Sequence, residues 1–288
     1  SYKCIKDDKS RMKQLNVKLI SILLAIIFLI ISCSSIFNIY TNSNQVNRYS
    51  AYADSIALTS TDKIETISYS TKETSTMETV NGVPSYRQIS GLSNACGATS
   101  GAIVVGFYDK YYEDLIPGFK TYLSSGKYRG NDKTYIPKLI NQLYTLMRTN
   151  IDDVGVSKDD CLNGLNSYVQ DKKHKISFSS LSSTGKLNTT LYIKEIKNNH
   201  PVILFCRKIN VIKITNGDKS DKYQVYSINN GHIAVAYGIY TVKYYKNNTA
   251  FRTDRFLMVA LGLSSYPTGY INLNDPNWLN YAYSVNIS

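Results

Sequence analysis

Two residues far apart in the sequence stand where a nucleophile and its base could be held. Cys96 comes directly before residues 97–112, whose apolar side chains recur at helical spacing. A helix N-terminus favours the thiolate form of a cysteine placed there, and the thiolate is the nucleophile. His232 follows Gly231 and begins the apolar run "HIAVAYGIY", which predicts a strand. The pair therefore indicates thiolate chemistry, in which the imidazole takes the proton of the thiol.

Each of these residues also has an ordinary structural interpretation. Cysteine packs well as a small apolar side chain, and an isolated histidine at a strand start more often has a structural role. The other two histidines are weaker candidates for the base. His174 lies at a charged helix end, and His200 precedes a proline at the entry to a strand. By context, His232 is the best partner for Cys96.

A base of this kind needs a third group that fixes the tautomer of its imidazole. Asp275 in "YINLNDPNW" is the candidate, and we expect it to contact the nitrogen of His232 that faces away from Cys96. Asn272 and Asn274 would then have supporting roles. Taken alone, Asp275 is better explained as a turn residue before the proline that follows it.

The oxyanion formed during acyl transfer needs hydrogen-bond donors. The backbone N–H of Cys96 is one, because it lies at the predicted helix start. Gln88 is the candidate for the other, since its side-chain amide lies a short distance upstream. Asn94 is nearer to the cysteine, but it also suits a helix N-cap or a turn.

In chain order these residues resemble the motifs of the papain-like cysteine peptidases, and within them the bacterial group related to the bacteriocin-processing double-glycine peptidases. The matching stretches are Gln88, "CGATS" at 96–100, "GHIAVAYG" at 231–238 and "NDP" at 274–276. The interval from Cys96 to His232 falls inside the range of about 130–150 residues noted for papain-like enzymes. The resemblance covers roughly residues 83–288, although the tryptophan of the papain signature is missing after Cys96.

This resemblance implies an α+β fold of the papain-like type, in which a helical layer with an N-terminal catalytic cysteine helix packs on an antiparallel β-sheet. It implies Cys96 as the nucleophile and His232 as the base. Asp275 would orient the base, and Gln88 would stabilise the oxyanion. No cofactor is implied, and the partner would be a peptide or protein substrate.

The residues around these motifs predict the elements that would position them. Apolar residues at helical spacing predict helices at 97–112, 134–149, 157–173 and 189–199. Ser157 can cap the third helix, with two aspartates in its first turn. The apolar run at 201–209 predicts a buried strand, and further strands follow it. Helices followed by strands predict an α+β fold, with Cys161 and Cys206 in its core.

The N-terminal region, residues 1–53, has the pattern of a signal peptide or membrane anchor. Basic residues dominate up to Lys18, and residues 19–31 carry no charge. Three outcomes remain open: lipidation of Cys33, cleavage after Ala53, and retention as an uncleaved anchor. The protein would then be secreted or attached to the outer face of the bacterial cell membrane.

Residues 54–80 are rich in serine and threonine and poor in large apolar side chains. This composition predicts a loosely ordered spacer or a short pro-segment that covers the site, and the residues do not separate these two interpretations. The turn residues Gly82 and Pro84 then mark the start of the peptidase domain, which we expect at residues 81–288.

The composition of the whole chain excludes some other classes of protein. The 288 residues are 43% hydrophobic and 19% charged, which is ordinary for a globular protein. The net charge of +12 is scattered and forms no basic stripe, so we expect no nucleic-acid partner. The five cysteines have no regular spacing, which argues against a disulfide framework or a metal site. We expect a monomer.

The sequence therefore predicts an exported bacterial cysteine peptidase that hydrolyses peptide bonds through a thioester acyl-enzyme. Two alternatives remain open. A cell-wall amidase or transpeptidase could use the same site, although compact papain-like wall hydrolases usually have a shorter interval between cysteine and histidine. A non-enzymatic envelope-binding module with a degenerate site could use the 25 tyrosines as a contact surface, although a binder does not need the cysteine, histidine and aspartate together.

Overall fold

The computed structural model describes residues 48–49, 59–120, 130, 132–151 and 155–288. These residues belong to one compact unit, Arg48–Ser288. Most of the predicted signal peptide or anchor lies outside the described residues, including Cys33 and Ala53. None of the described helices is long and apolar enough to cross a membrane.

Four α-helices occur in the described residues, and each corresponds to a predicted helix. They are α1 (Cys96–Asp109), α2 (Tyr135–Leu146), α3 (Lys158–Asp171) and α4 (Thr189–Lys197). The start of α3 is the predicted one, because the backbone N–H of Asp160 donates to Ser157 Oγ at 3.0 Å. Asp159 and Asp160 also lie in its first turn, where negative charge is stabilised by the helix dipole.

Helix α1 is buried along its whole length. Its glycines permit this, because side chains from other segments occupy the space that a Cβ would need. A Cβ at Gly106 would lie 2.5 Å from the ring of Tyr86, and one at Gly101 would lie 2.8 Å from the side chain of Met147. Both positions therefore require glycine for the packing to remain as it is.

The described residues also contain fourteen β-strands. They are β1 (Arg48–Tyr49), β2 (Thr59–Ser68), β3 (Thr71–Thr79), β4 (Val156–Ser157), β5 (Ile176–Ser180), β6 (Ser182–Ser183), β7 (Lys186–Leu187), β8 (Val202–Cys206), β9 (Ile209–Asn216), β10 (Ser220–Ile228), β11 (His232–Lys246), β12 (Thr249–Ala260), β13 (Thr268–Asn272) and β14 (Leu279–Ile287). The strand predicted at 201–209 is confirmed as β8, whose side chains are all buried. Cys206 on β8 and Cys161 on α3 are fully buried, as predicted.

Ten of these strands form one large sheet, in the order β2-β10-β9-β13-β12-β11-β8-β14-β5, with β3 paired to β11. Every pairing in this sheet is antiparallel. The protein is therefore a mixed α/β protein with a large antiparallel sheet, which confirms the sheet type of the predicted fold class. A single large hydrophobic core joins α1, α2 and α3 to the buried face of β8 and β11.

Strand β11 joins two parts of this sheet. Residues 232–236 pair with β8, and residues 238–245 pair with β3, while β12 pairs along the opposite edge. From β3 the strands continue as β11-β12-β13-β9-β10-β2, and only Tyr69 and Ser70 separate β2 from β3 in the chain. This part of the sheet therefore curls back on itself, around a second small core that contains Tyr223.

The structure corrects the expectation of a loosely ordered spacer at 54–80. Within that range β2 and β3 are regular strands, paired with β10 and β11. Backbone hydrogen bonds hold such strands whatever the polarity of their side chains, and Ile67 contributes a buried apolar contact to the small core. The folded domain therefore begins before residue 81.

A buried carboxylate holds the two ends of the curled sheet together. Asp221 on β10 has no exposed surface, and Lys72 Nζ on β3 lies 2.8 Å from its carboxylate. The hydroxyls of Tyr69 and Tyr244 donate further hydrogen bonds to the same carboxylate, at 3.0 and 2.9 Å. Because a buried charge is costly unless it is compensated, these contacts fix β3 against β10.

Replacing Lys72 with methionine should lower the free energy of unfolding by about 2 kcal/mol, because the Asp221 carboxylate would stay buried without its cation. Lys120→Met is the matched control, since Lys120 and Glu113 form a long ion pair between two largely exposed side chains. That variant should leave the free energy of unfolding almost unchanged. Denaturant unfolding measures both, and equal effects would contradict the role given to the buried carboxylate.

Candidate active site

Cys96 is the first residue of α1 and has 1% of its surface exposed. It begins a buried central helix, as the sequence predicts. The residue two positions before it, Asn94, adopts a left-handed backbone conformation with φ of 57°, which turns the chain into the helix. The N-terminal end of a helix carries a partial positive charge, so this position favours a negative charge on the sulfur.

His232 is the first residue of β11 and is completely buried. Its Nε2 lies 2.8 Å from the carbonyl oxygen of Leu261. A carbonyl oxygen only accepts hydrogen bonds, so Nε2 carries the proton and Nδ1 presents a lone pair. Among the described residues, Nδ1 has no hydrogen-bond partner.

Burial lowers the pKa of His232 to about 4, and the hydrogen bond to the Leu261 carbonyl opposes this only in part. The imidazole is therefore neutral at neutral pH. A neutral imidazole with a bare Nδ1 is the form that can accept a proton, as a general base must.

Two contacts bring the start of α1 onto the start of β11, and a strand pairing places Cys206 beside His232. Ser100 Oγ donates to the carbonyl of Ile233 at 2.9 Å, and a Cβ at Gly97 would lie 3.3 Å from the side chain of Ile233. Cys206 pairs directly with His232 across β8 and β11. Burial raises the pKa of the Cys206 thiol, and the nearby Cys96 raises it further. Cys96 and His232 therefore lie at the same end of the contact between helix and sheet.

Gln88 approaches the same place from the segment that precedes α1. Its side chain is 5% exposed, and its backbone N–H donates to the carbonyl of Gly262 at 2.7 Å. Within the part of the chain that the structure describes, both polar atoms of its side-chain amide lack a hydrogen-bond partner. A buried amide of this kind costs free energy, which is offset if a bound molecule engages it.

Asp275 does not occupy the predicted place, and the expectation that it contacts His232 is wrong. Its carboxylate accepts a hydrogen bond from Asn210 Nδ2 at 3.4 Å, and its backbone N–H donates to Asn272 at 3.2 Å. The loop that carries it continues into Leu279. Leu279 pairs with Cys206, and Cys206 pairs with His232, so Leu279 and the histidine lie on opposite edges of β8.

The turn interpretation of this loop is the one that fits. The backbone N–H of Asn274 donates to Asn272 Oδ1 at 2.9 Å, and Asp275 closes a turn onto the carbonyl of Asn272. The two asparagines therefore shape the turn and do not support the histidine.

The other histidines have carboxylate partners of their own. His174 Nε2 lies 2.9 Å from Asp114, and His200 Nδ1 lies 2.9 Å from Glu195. Both pairs are partly exposed. Neither histidine therefore competes with His232 as the partner of Cys96.

The described residues hold no disulfide among Cys96, Cys161 and Cys206. They also contain no group of three histidine, cysteine, aspartate or glutamate side chains that could bind a metal ion. Within the described residues a thiol, a neutral imidazole and a buried amide lie near the start of α1, and no hydrogen bond joins Nδ1 of His232 to the thiol.

No sequence pattern points to one member of this arrangement, the carbonyl group of Leu261. A main-chain carbonyl is present at every residue, so only the three-dimensional structure can single one out. Neither a family model nor a curated protein matches this chain. The resemblance to papain-like peptidases therefore depends on the sequence motifs.

The buried His232 should make the protein less stable in mild acid. In the unfolded chain a histidine has a pKa of about 6.5, whereas burial lowers the pKa of His232 in the folded protein to about 4. Between these values the unfolded state binds a proton that the folded state excludes, so the free energy of unfolding falls as the pH drops. The difference between the two pKa values corresponds to about 3 kcal/mol in the free energy of unfolding.

Denaturant unfolding of the native protein and of His232→Gln, at about pH 7 and about pH 4.5, measures this effect. The variant cannot titrate at this position, so its stability should depend less steeply on pH over that interval. The other titrating groups are the same in both proteins and act as the internal control. Identical pH dependence would contradict a buried neutral imidazole.

Proposed function

We propose that this protein is a cysteine peptidase of the papain-like type, with Cys96 as the nucleophile and His232 as the general base. The observation that carries the proposal is that two buried groups near the helix that begins with Cys96, His232 Nδ1 and the Gln88 amide, have no hydrogen-bond partner among the described residues. Buried polar groups normally have a hydrogen-bond partner, so these two groups are available to a bound molecule.

In the proposed reaction Nδ1 of His232 accepts the proton of the Cys96 thiol. The thiolate attacks the carbonyl carbon of the substrate, and the oxyanion that forms accepts hydrogen bonds from the Cys96 backbone N–H and the Gln88 side-chain amide. His232 then returns the proton to the leaving amine as the tetrahedral intermediate collapses to a thioester. Water, deprotonated by the same nitrogen, attacks the thioester and releases the acid and the thiol.

The low pKa of His232, about 4, supports the first step, because the imidazole is unprotonated in the resting site. The same burial makes the charged pair of thiolate and imidazolium less stable than it would be in water. The helix N-terminus at Cys96 and the oxyanion donors compensate part of this cost. The resting site is therefore a thiol and a neutral imidazole, and charge develops when the substrate binds.

Cys96 and His232 are almost fully shielded from solvent. A substrate therefore reaches the sulfur only after a neighbouring segment moves, which is a common requirement of sites that exclude water from a reactive intermediate. The substrate class we propose is a peptide or protein. The basic and apolar N-terminal region supports export, to the outer face of the membrane or beyond.

Cys96→Ser and Cys161→Ser should have opposite effects. At Cys96 the hydroxyl cannot form a comparable anion with a histidine, so peptide hydrolysis should fall by about three orders of magnitude or more. The unfolding midpoint should change little although Cys96 is buried, because Nδ1 of His232 can accept the proton of the new hydroxyl. At Cys161 the side chain is fully buried on α3, so a hydroxyl there would be a polar group in an apolar core. The free energy of unfolding should fall there by about 1–3 kcal/mol while activity at low temperature persists.

Hydrolysis of a fluorogenic peptide mixture and thermal unfolding measure both variants. Alkylation of the native protein by iodoacetamide adds a readout that needs no substrate: Cys96 should react before Cys161 and Cys206. Equal loss of activity in the two variants would contradict the proposal. Hydrolysis of amide bonds in cell-wall material without hydrolysis of polypeptides would assign the site to an amidase instead.

A further inference from the structure

The group that holds His232 is a main-chain carbonyl, and its surroundings fix it firmly. Leu261 has no exposed surface, and its backbone N–H donates to the carbonyl of Pro267 at 2.8 Å. Its own carbonyl accepts from His232 Nε2 at 2.8 Å. The carbonyl therefore belongs to a residue whose backbone is anchored to Pro267, and its position does not depend on a side-chain rotamer.

The next residue, Gly262, extends this arrangement to the proposed oxyanion donor. Its carbonyl accepts the backbone N–H of Gln88 at 2.7 Å. The carbonyl of Leu261 thus holds the ring of His232, and the carbonyl of the next residue, Gly262, holds the segment of Gln88. Any shift of this dipeptide would move the base and the amide together.

Gly262 also packs against the helix that carries the nucleophile. Its φ is +72°, a conformation that favours glycine, and a Cβ there would lie 2.8 Å from Thr99 Cγ2. Thr99 lies in the first turn of α1, where its backbone N–H donates to Ala95 at 2.8 Å. The dipeptide is therefore in contact with all three elements that supply the site.

A side chain does not take the orienting role in the described residues. Asp275, the residue that the family resemblance suggests, accepts a hydrogen bond from Asn210 and makes none with the imidazole of His232. Within the part of the chain that the structure describes, the imidazole of His232 has one hydrogen bond, to Leu261, and that bond already fixes the tautomer with Nδ1 bare.

We propose that the main-chain carbonyl of Leu261 orients His232 in place of an aspartate or asparagine side chain, and that Leu261–Gly262 is the positioning segment of the site. This inference rests on the proposed function for its catalytic meaning. When Nδ1 takes the proton of Cys96, the bond from Nε2–H to the carbonyl becomes charge-assisted and strengthens. The carbonyl dipole thus supplies the stabilisation that a carboxylate supplies elsewhere, without a second buried charge.

The tautomer can be measured without any turnover. In protein labelled with ¹⁵N-histidine, long-range ¹H–¹⁵N spectra distinguish a protonated ring nitrogen from a bare one, and the His232→Gln variant identifies the signal of His232. We expect a protonated Nε2 and a bare Nδ1 at neutral pH. A protonated Nδ1 would overturn the proposal.

Asp275→Asn tests the competing assignment. If the Leu261 carbonyl orients the ring, this variant should keep the same tautomer and a kcat within about twofold of the native value. If Asp275 orients the ring in the working enzyme, kcat should fall by about two orders of magnitude or more, and the proposal fails.

Gly262→Ala tests the positioning segment, with Gly91→Ala as its matched control. Gly91 also has a positive φ, +81°, but a Cβ there meets nothing within 4 Å, so the control carries the same backbone strain without the contact to α1. Gly262→Ala should lower kcat by about 100-fold and shift the ¹⁵N signals of His232, whereas Gly91→Ala should do neither. Adding Thr99→Ser, which removes the methyl group that the new Cβ would meet, should restore part of kcat.

The outcomes separate the two proposals. A protein with the expected tautomer that hydrolyses no peptide contradicts the proposed function and supports the geometry assigned to Leu261. An active peptidase whose rate depends on Asp275, or whose His232 signals are the same in Gly262→Ala, supports the function and overturns the positioning role.

Discussion

The complete burial of helix α1 is the constraint on which the rest of the described structure depends. A helix without an exposed face must be covered on every side, and here Tyr86, Met147 and the start of β11 each approach it where a glycine or a small polar side chain leaves room. The first turn of the helix is thereby fixed on the first residue of a central strand. The candidate site is therefore built on core elements, which hold side chains more rigidly than surface loops do.

Burial alone does not distinguish Cys96 from the other described thiols. Burial raises the pKa of Cys161 and of Cys206, and neither of these residues begins a helix. Cys96 has a helix N-terminus and a neighbouring imidazole that is neutral because it too is buried. The Leu261 carbonyl and the amide of Gln88 are uncharged, so the groups placed near this imidazole are dipoles and not ions. Such a site avoids the desolvation cost of a permanent ion pair.

The sequence predicts those features that depend on short-range patterns. Ser157 as a cap, the apolar run of β8 and the strand that begins at His232 each follow from neighbouring residues, and each is found in the structure. The strands at 59–79 were missed because their side chains are mostly polar and their stability comes from partners far along the chain. The expected contact of Asp275 with His232 is absent because the carboxylate lies against Asn210 in the folded chain, which a motif cannot reveal. The papain-like assignment and the catalytic roles remain predictions.

The curled part of the sheet has a consequence for the order of folding. Tyr69 meets Asp221 across 152 residues, and Ser70 meets Tyr245 across 175, so these pairings are among the costliest in loop-closure entropy and should form late. During synthesis β2 and β3 leave the ribosome long before their partners, with both edges unpaired. The threonines, lysine and glutamates of "TKETSTMET" are an advantage before the partner strands are synthesised, because a polar strand aggregates slowly. The low hydrophobicity that conceals these strands from sequence inspection thus also protects them from aggregation before the curled part of the sheet forms.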